Sequence, residues 1–293
     1  MKKLLFLTAI GLFSINIQAQ TKLEYKLEKG QTFKVQQEAT QVITQELQGT
    51  SHELTNVITG EFKMTVADIK NGNYIIDMSY TDLQMKMTSN LQGEMMNVKA
   101  KEVNTAEPQS VMFNAMLNIP VQITLAKTGK IVVVEGGSKL INKMLSAAGI
   151  TDEATLNMVK PTLEKEYGSE GLAASFEQMT FVYPTKAVSV NDSWENEYSG
   201  KLQTKNKWTL IAQDKENVEL SCDASAIMKI EDVSANMDLT GTQNTRVMMD
   251  AKTGFVKFME VKSNSEGNST MPMLGDTKIP TKIKSTITYK TVE

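Results

Sequence analysis

The sequence is poor in the residues that carry most protein chemistry. Among 293 residues there is one cysteine, Cys222, one histidine, His52, and one arginine, Arg246, with two tryptophans and six prolines. A lone cysteine excludes an intrachain disulfide framework. Together with a lone histidine it also excludes a zinc finger or a His-based metal triad within one chain. Nucleic-acid partners are excluded on charge: 31 basic against 34 acidic residues give a net charge of -3, and bidentate phosphate and base contacts lean on arginine. Long apolar runs are also missing. The longest, Leu4 to Phe13, falls well short of the roughly 20 apolar residues of a transmembrane helix, so no transmembrane segment is expected.

What that run does resemble is the core of a secretory signal. Lys2 and Lys3 supply a basic start, the apolar stretch follows, and Ser14, Asn16 and Gln18 lead to a cleavage site after Ala19, with Ile17 bulkier than the small residue usual at that place. Residues 1–19 are therefore expected to be removed, leaving 29 basic and 34 acidic residues and a net charge of -5. No cysteine lies near the site, so an N-terminal lipid anchor is not expected. The protein is expected to be exported, to the periplasm, the cell surface or the medium.

The mature chain is ordinary in its hydrophobic content, 41%, and long enough to bury a large core without disulfides. From Thr21 to about Ile123 apolar residues alternate: Leu23, Tyr25 and Leu27 share one parity, and Tyr74, Ile76, Met78 and Tyr80 another. The parity then switches to Leu83, Met85 and Met87, which predicts a β-bulge at Thr81–Asp82. Lys29-Gly30, Asn71-Gly72-Asn73 and Thr128-Gly129 predict hairpins between antiparallel neighbours. Between Gly137 and Met179 the spacing becomes helical, with Leu140, Ile141, Met144 and Leu145 in one segment and Leu172, Phe176 and Met179 in another. Thr151 reads as an N-cap, Pro161 as a break or restart, and Gly168 as a helix end. A short helix is expected around Gln109 to Leu117. Alternation returns from Tyr183 onward.

The fold expected is α+β: curved antiparallel β-sheet in two repeat-like halves with a central helical block at 137–179. The limits are 1–19 for the signal, 20–136 for the first β-rich half, 137–182 for the helical block and 183–293 for the second half, all one structural unit. The repeat rests chiefly on Ala126-Lys127-Thr128-Gly129 and Ala251-Lys252-Thr253-Gly254, which occur in the same order relative to their strands. Any two strand-turn-strand units share some such likeness, so the alternative is plain β architecture.

Leu27-Glu28-Lys29-Gly30-Gln31-Thr32-Phe33, Val190-Asn191-Asp192-Ser193-Trp194 and the Val121 to Gly136 stretch resemble turns of a set of uncharacterised secreted Bacteroidetes proteins, the domain of unknown function 6263. Asn191 stands where such proteins often carry glycine, and asparagine also tolerates positive φ. The resemblance implies secretion and brings no catalytic residue or ligand. The layout is also similar to periplasmic half-barrels with helical lids, the LolA-type lipoprotein carriers among them. That is a likeness of fold alone.

Catalytic constellations are not evident. A Ser-His-Asp site would rest on His52, in a polar stretch that reads as a hairpin tip or edge. Cys222, between Ser221 and Asp223, reads as a small buried strand residue. Trp194 and Trp208 fall on apolar parity and read as core rather than sugar platforms. No phosphate loop, dinucleotide fingerprint or calcium loop is present. The protein is expected not to be an enzyme and to use no cofactor.

Methionine is the compositional outlier, with nineteen residues, clustered at Met85, Met87, Met95 and Met96 and again at Met271 and Met273. Thioethers bind Cu(I), fill irregular cores, or line adaptable apolar surfaces. The third reading makes Met85, Met87, Met95 and Met96 candidate ligand-binding residues for an apolar small molecule or lipid. The alternative is a secreted structural or protein-interaction module with a fully packed core. No motif specifies a protein partner.

Overall fold

The computed structural model describes residues 20–47, 49–231, 236–272, 275 and 277–292. The signal-like residues 1–19 and Met273 lie outside them. Among the described residues, twelve strands form one continuous antiparallel sheet. The first six are β1 (Thr32–Leu47), β2 (Thr50–Lys70), β3 (Asn73–Ser89), β4 (Gly93–Lys99), β5 (Val121–Leu125) and β6 (Ile131–Glu135). The second six are β7 (Ser193–Tyr198), β8 (Leu202–Gln213), β9 (Asn217–Glu231), β10 (Asn236–Asp250), β11 (Val256–Thr270) and β12 (Ile279–Val292). Their spatial order is β6-β5-β3-β2-β1-β12-β11-β10-β9-β8-β7, with β4 paired to the far part of β3, and the sheet is not closed. Pairing of β1 with β12 joins the two ends of the described strand series into one surface.

Local sequence sets several of these elements. Asn71 (φ 52°) and Gly72 (φ 78°) make the tight β2–β3 turn, and Asn191 (φ 73°) takes the left-handed conformation expected of it. Pairing of Glu61 with Asp82 but Phe62 with Tyr80 leaves Thr81 as the extra residue of a β-bulge. Lys29-Gly30 differs from expectation. It turns the N-terminal segment into β1, with the Gly30 N–H donating to Val66 O at 2.8 Å, and joins no hairpin.

The helical block holds α2 (Gly137–Ala147), α3 (Glu153–Tyr167) and α4 (Ser169–Thr180), preceded at a distance by α1 (Pro108–Met116). Leu140, Ile141, Met144 and Leu145 of α2 are all buried, as are Leu172, Phe176 and Met179 of α4. The α3 cap is Asp152, whose side chain accepts the Thr155 N–H at 2.8 Å, one residue later than Thr151. Pro161 lies inside a continuous α3 rather than breaking it. The carbonyl it leaves unpaired belongs to exposed Asn157, where water can satisfy it.

The near half of the inward face is a sealed core. Val35, Phe62, Met64, Val66, Ile76 and Met78 project inward at 1% exposure or less. The Phe176 ring of α4 meets Phe62 edge-on at 5.7 Å between centroids. Each such side chain contributes about 1.5–3 kcal/mol on full burial. The end of α4 also spans the gap between the terminal strands. Toward β6, the Thr180 hydroxyl donates to Gly129 O (2.8 Å) and the Ile131 N–H donates to Glu177 Oε1 (3.0 Å). Toward β7, Trp194 Nε1 donates to Val182 O (3.0 Å), and Asn196 Nδ2 and Tyr198 Oη donate to Phe181 O (2.6 and 3.0 Å).

The two Ala-Lys-Thr-Gly turns serve the same local purpose. The Tyr25 N–H donates to Lys127 O and the Lys26 N–H to Thr253 O, so the turns grip the N-terminal segment from either side. Gly129 (φ 90°) and Gly254 (φ 70°) lie so close to backbone that an added Cβ would stand 1.7 Å from Thr180 O and 2.5 Å from Glu24 O. The shared tetrapeptide thus has a local cause and does not of itself require duplicated halves.

Candidate functional site

The inward face continues past the sealed core, and there its character changes. On β1, β2, β3 and β4, Ile43, Leu54, Ile58, Met85, Met87 and Met96 all face inward but are only half-buried. Strand register places these residues together, since Ile58 pairs with Met85, Asn56 with Met87, and Met87 with Met96. Directly opposed side chains on one face are within contact reach. Met95 is different. It is the extra residue where Met87 pairs with Met96 but Thr88 with Glu94, and it stands 48% exposed. Met87, Met95 and Met96 nonetheless border one hollow of about 390 Å³ with Glu107 and Gln109 at the start of α1. Met85 lies outside that hollow.

A row of polar side chains crosses the sheet at the level of Met87. Asn56 on β2 pairs with Gln41 on β1, Gln41 with Ser285 on β12, Ser285 with Ser263 on β11, and Ser263 with Gln243 on β10. Ala224 follows on β9, and Asn206 on β8 pairs with it. Sequence reading missed this belt. Each member is an uncharged polar residue at an inward position of an alternating strand, and only the register aligns them.

No Lys, Arg, Asp or Glu occupies an inward position of β1, β2, β3, β8, β9, β10, β11 or β12 among the described residues. The wall is uncharged over its whole breadth. Its one imidazole, His52, sits near the beginning of β2 and hydrogen-bonds Ser89 at 3.0 Å, half-buried rather than solvated at a tip. Cys222 is buried, and that burial, with the neighbouring Asp223 charge, pushes its thiol up to about 12. Trp208 is core, and its indole N–H donates to Asn196 Oδ1 at 3.1 Å. Trp194 is half-buried on the adjoining strand.

A cleft of about 760 Å³ lies between α3 and α4 on one side and the ends of β8 and β9 on the other. Leu202 and Ile230 form its inner side, while Lys165, Lys201 and Lys229 stand with Glu164, Glu170 and Glu231 at its rim. No helix among the described residues is long and apolar enough to cross a membrane, a statement that leaves β-barrels aside.

These features define a class: an open antiparallel sheet, sealed by helices over one half of its inward face and lined without charge over the other. Residues 71–256 match the family of unknown function DUF6263, and the chain belongs to that family. No curated protein matches it. Among solved structures it is similar in fold to lipovitellin, in a structure titled for lipid-protein interactions, with a TM-score of 0.50 and 9% identity over 92% of this chain. The chain spans only 26% of that lipovitellin chain. An outer membrane channel from Pseudomonas putida F1 aligns over 92% of this chain and 97% of its own at 8% identity, but a TM-score of 0.25 gives that likeness no weight.

Proposed function

We propose that this protein is an exported envelope protein that shelters an apolar ligand, such as a lipid, against the open half of its inward face. The observation that carries the reading is the half-burial of inward Ile43, Leu54, Ile58, Met85, Met87 and Met96, on the same strands whose near ends are sealed. Inward apolar side chains that the chain itself leaves half-wet gain the most from a ligand that covers them. Flexible thioethers suit a ligand of variable shape. The lipovitellin likeness adds a precedent, since that structure concerns lipid-protein interactions on a related fold. The likeness of layout to LolA-type carriers belongs to this same proposal. No step of it needs a catalytic residue or a cofactor.

A second reading, a structural or protein-interaction module, draws on Leu239, Ile279 and Ile283, which face the same side and are already buried. Native mass spectrometry of protein isolated from its own cell envelope separates the two. Lipid-sized adducts support the carrier, and a clean apo mass supports the module. The double variant Met85→Ser with Met87→Ser should weaken uptake of an apolar probe at little cost in melting temperature. If these residues were ordinary core, each change would instead cost several kcal/mol, of the order of the roughly 2–5 of large-to-small core changes. Export is tested separately by N-terminal sequencing. The exported chain should begin near Gln20, and full-length protein recovered from the cytoplasm would contradict it.

A further inference from the structure

The polar belt ends, on β8, in two oxygens that have no partner. Asn206 Oδ1 and Thr204 Oγ1 are buried without a hydrogen bond, and their residues are 2% and 3% exposed. Asn56 Oδ1, on the opposite wing, is a third such atom. The amide orientation at β8 is fixed by its neighbours. Asn196 must turn its Nδ2 to Phe181 O, so its Oδ1 receives both the Trp208 indole N–H and Asn206 Nδ2 (2.9 Å), which leaves the Asn206 oxygen facing away unsatisfied. Buried unpaired acceptors are costly, and few survive in a folded protein without something to meet them.

The residues beside these atoms are small. Their register partners are Ala224 and Ala226 on β9, with Gly241 on β10 beyond. Two residues outward along β8, Leu202 opens into the cleft of about 760 Å³, a volume suited to a small amphipathic molecule. Amide oxygens only accept, so the group that satisfies them donates. The inward positions of the flanking strands hold no charged side chain, so an ionised head would be buried without a counterion.

We infer that the ligand is an uncharged single-chain amphiphile whose hydroxyl or primary-amide head donates to Asn206 Oδ1 and accepts from the Thr204 hydroxyl, while its chain lies along the open apolar rows. The inference rests on the ligand-binding reading above and narrows it to a chemical class.

Three probes of equal chain length test it by native mass spectrometry and competitive titration: hexadecanol, palmitate and methyl palmitate. Hexadecanol should bind roughly tenfold more tightly than either of the others, the effect of one satisfied buried hydrogen bond. Thr204→Val removes an unpaired hydroxyl, so it should fold with an unchanged or higher melting temperature and lose most of the preference. Asn206→Leu should erase the remainder. Palmitate binding equally or better would place the polar end at the lysine rim and overturn the inference while leaving the carrier intact. A preference that survives both substitutions would overturn the assignment to β8. Failure of all three probes would overturn carrier and inference together.

Discussion

The two halves of the inward face are made by the same strands and end in different states. Phe62 and Ile58 lie four residues apart on β2 and project to the same side, yet Phe62 is sealed beneath Phe176 while Ile58 is half-buried. β1 shows the same contrast between Val35 and Ile43. Strand alternation therefore decides which side chains face inward, and what lies over them decides whether they become core. The near half is covered by its own helices and N-terminal segment. On β1 to β4 the far half offers half-buried methionine, aliphatic and uncharged polar groups that a ligand can cover, whereas Leu239, Ile279 and Ile283 on β10 and β12 are already buried.

The largest test of this contrast is deletion in the sealed half. Phe62→Ala should cost about 3–5 kcal/mol in chemical denaturation. Gly129→Ala should follow, at about 1–3 kcal/mol from the forced backbone alone, because its Cβ would strike Thr180 O and open the seam between α4 and β6. Ile58→Ala, in the open half, should cost about 1–2 kcal/mol in the apo protein, less than a full core deletion, and more once a ligand is bound. Equal losses at Phe62 and Ile58 in the apo protein would erase the distinction between the halves.

A smaller effect sharpens the seam. Burial raises the Glu177 carboxyl above its ordinary 4.5, against the opposing influence of the Ile131 N–H and Lys130. The folded state then holds this proton more tightly than the unfolded chain does. Stability should fall as pH rises through 4.5 toward the raised folded value, with the loss complete above it. Glu177→Gln keeps an acceptor for Ile131 and removes the charge. It should be more stable than the parent at neutral pH, by less than about 1 kcal/mol because the group is partly solvated, with the gain vanishing at acid pH. The smallest expected signal is at Cys222. With its thiol pushed up to about 12, it should react with thiol reagents at mildly alkaline pH only as fast as the protein opens.

Much of the sheet was legible because alternation and turn chemistry are local. The parity switch across Thr81 announced its bulge, and helical spacing located α2 and α4. Pro161 misled because a proline's effect depends on whether the carbonyl it orphans can reach water. The shift from Thr151 to Asp152 reflects two adjacent residues that both suit an N-cap, with the choice made by which one meets Thr155. Joining β1 to β12, and bridging β6 to β7 through residues 180–183, are long-range pairings that no local pattern encodes. The same holds for the candidate site. Met85 and Met87 share a face as parity implied, whereas the place of Met96 beside them, the bulge at Met95 and the belt from Asn56 to Asn206 depend on register between strands.

Amide hydrogen exchange with and without a saturating neutral acyl probe tests the central contrast most directly. Added protection should be confined to the far segments, residues 39–47 of β1, 50–60 of β2, 83–89 of β3 and the ends of β8 and β9 nearest the cleft, with the near segments around Phe62, Ile76 and Leu220 unchanged. Protection spread evenly over the sheet, or concentrated in the near half, would contradict the account.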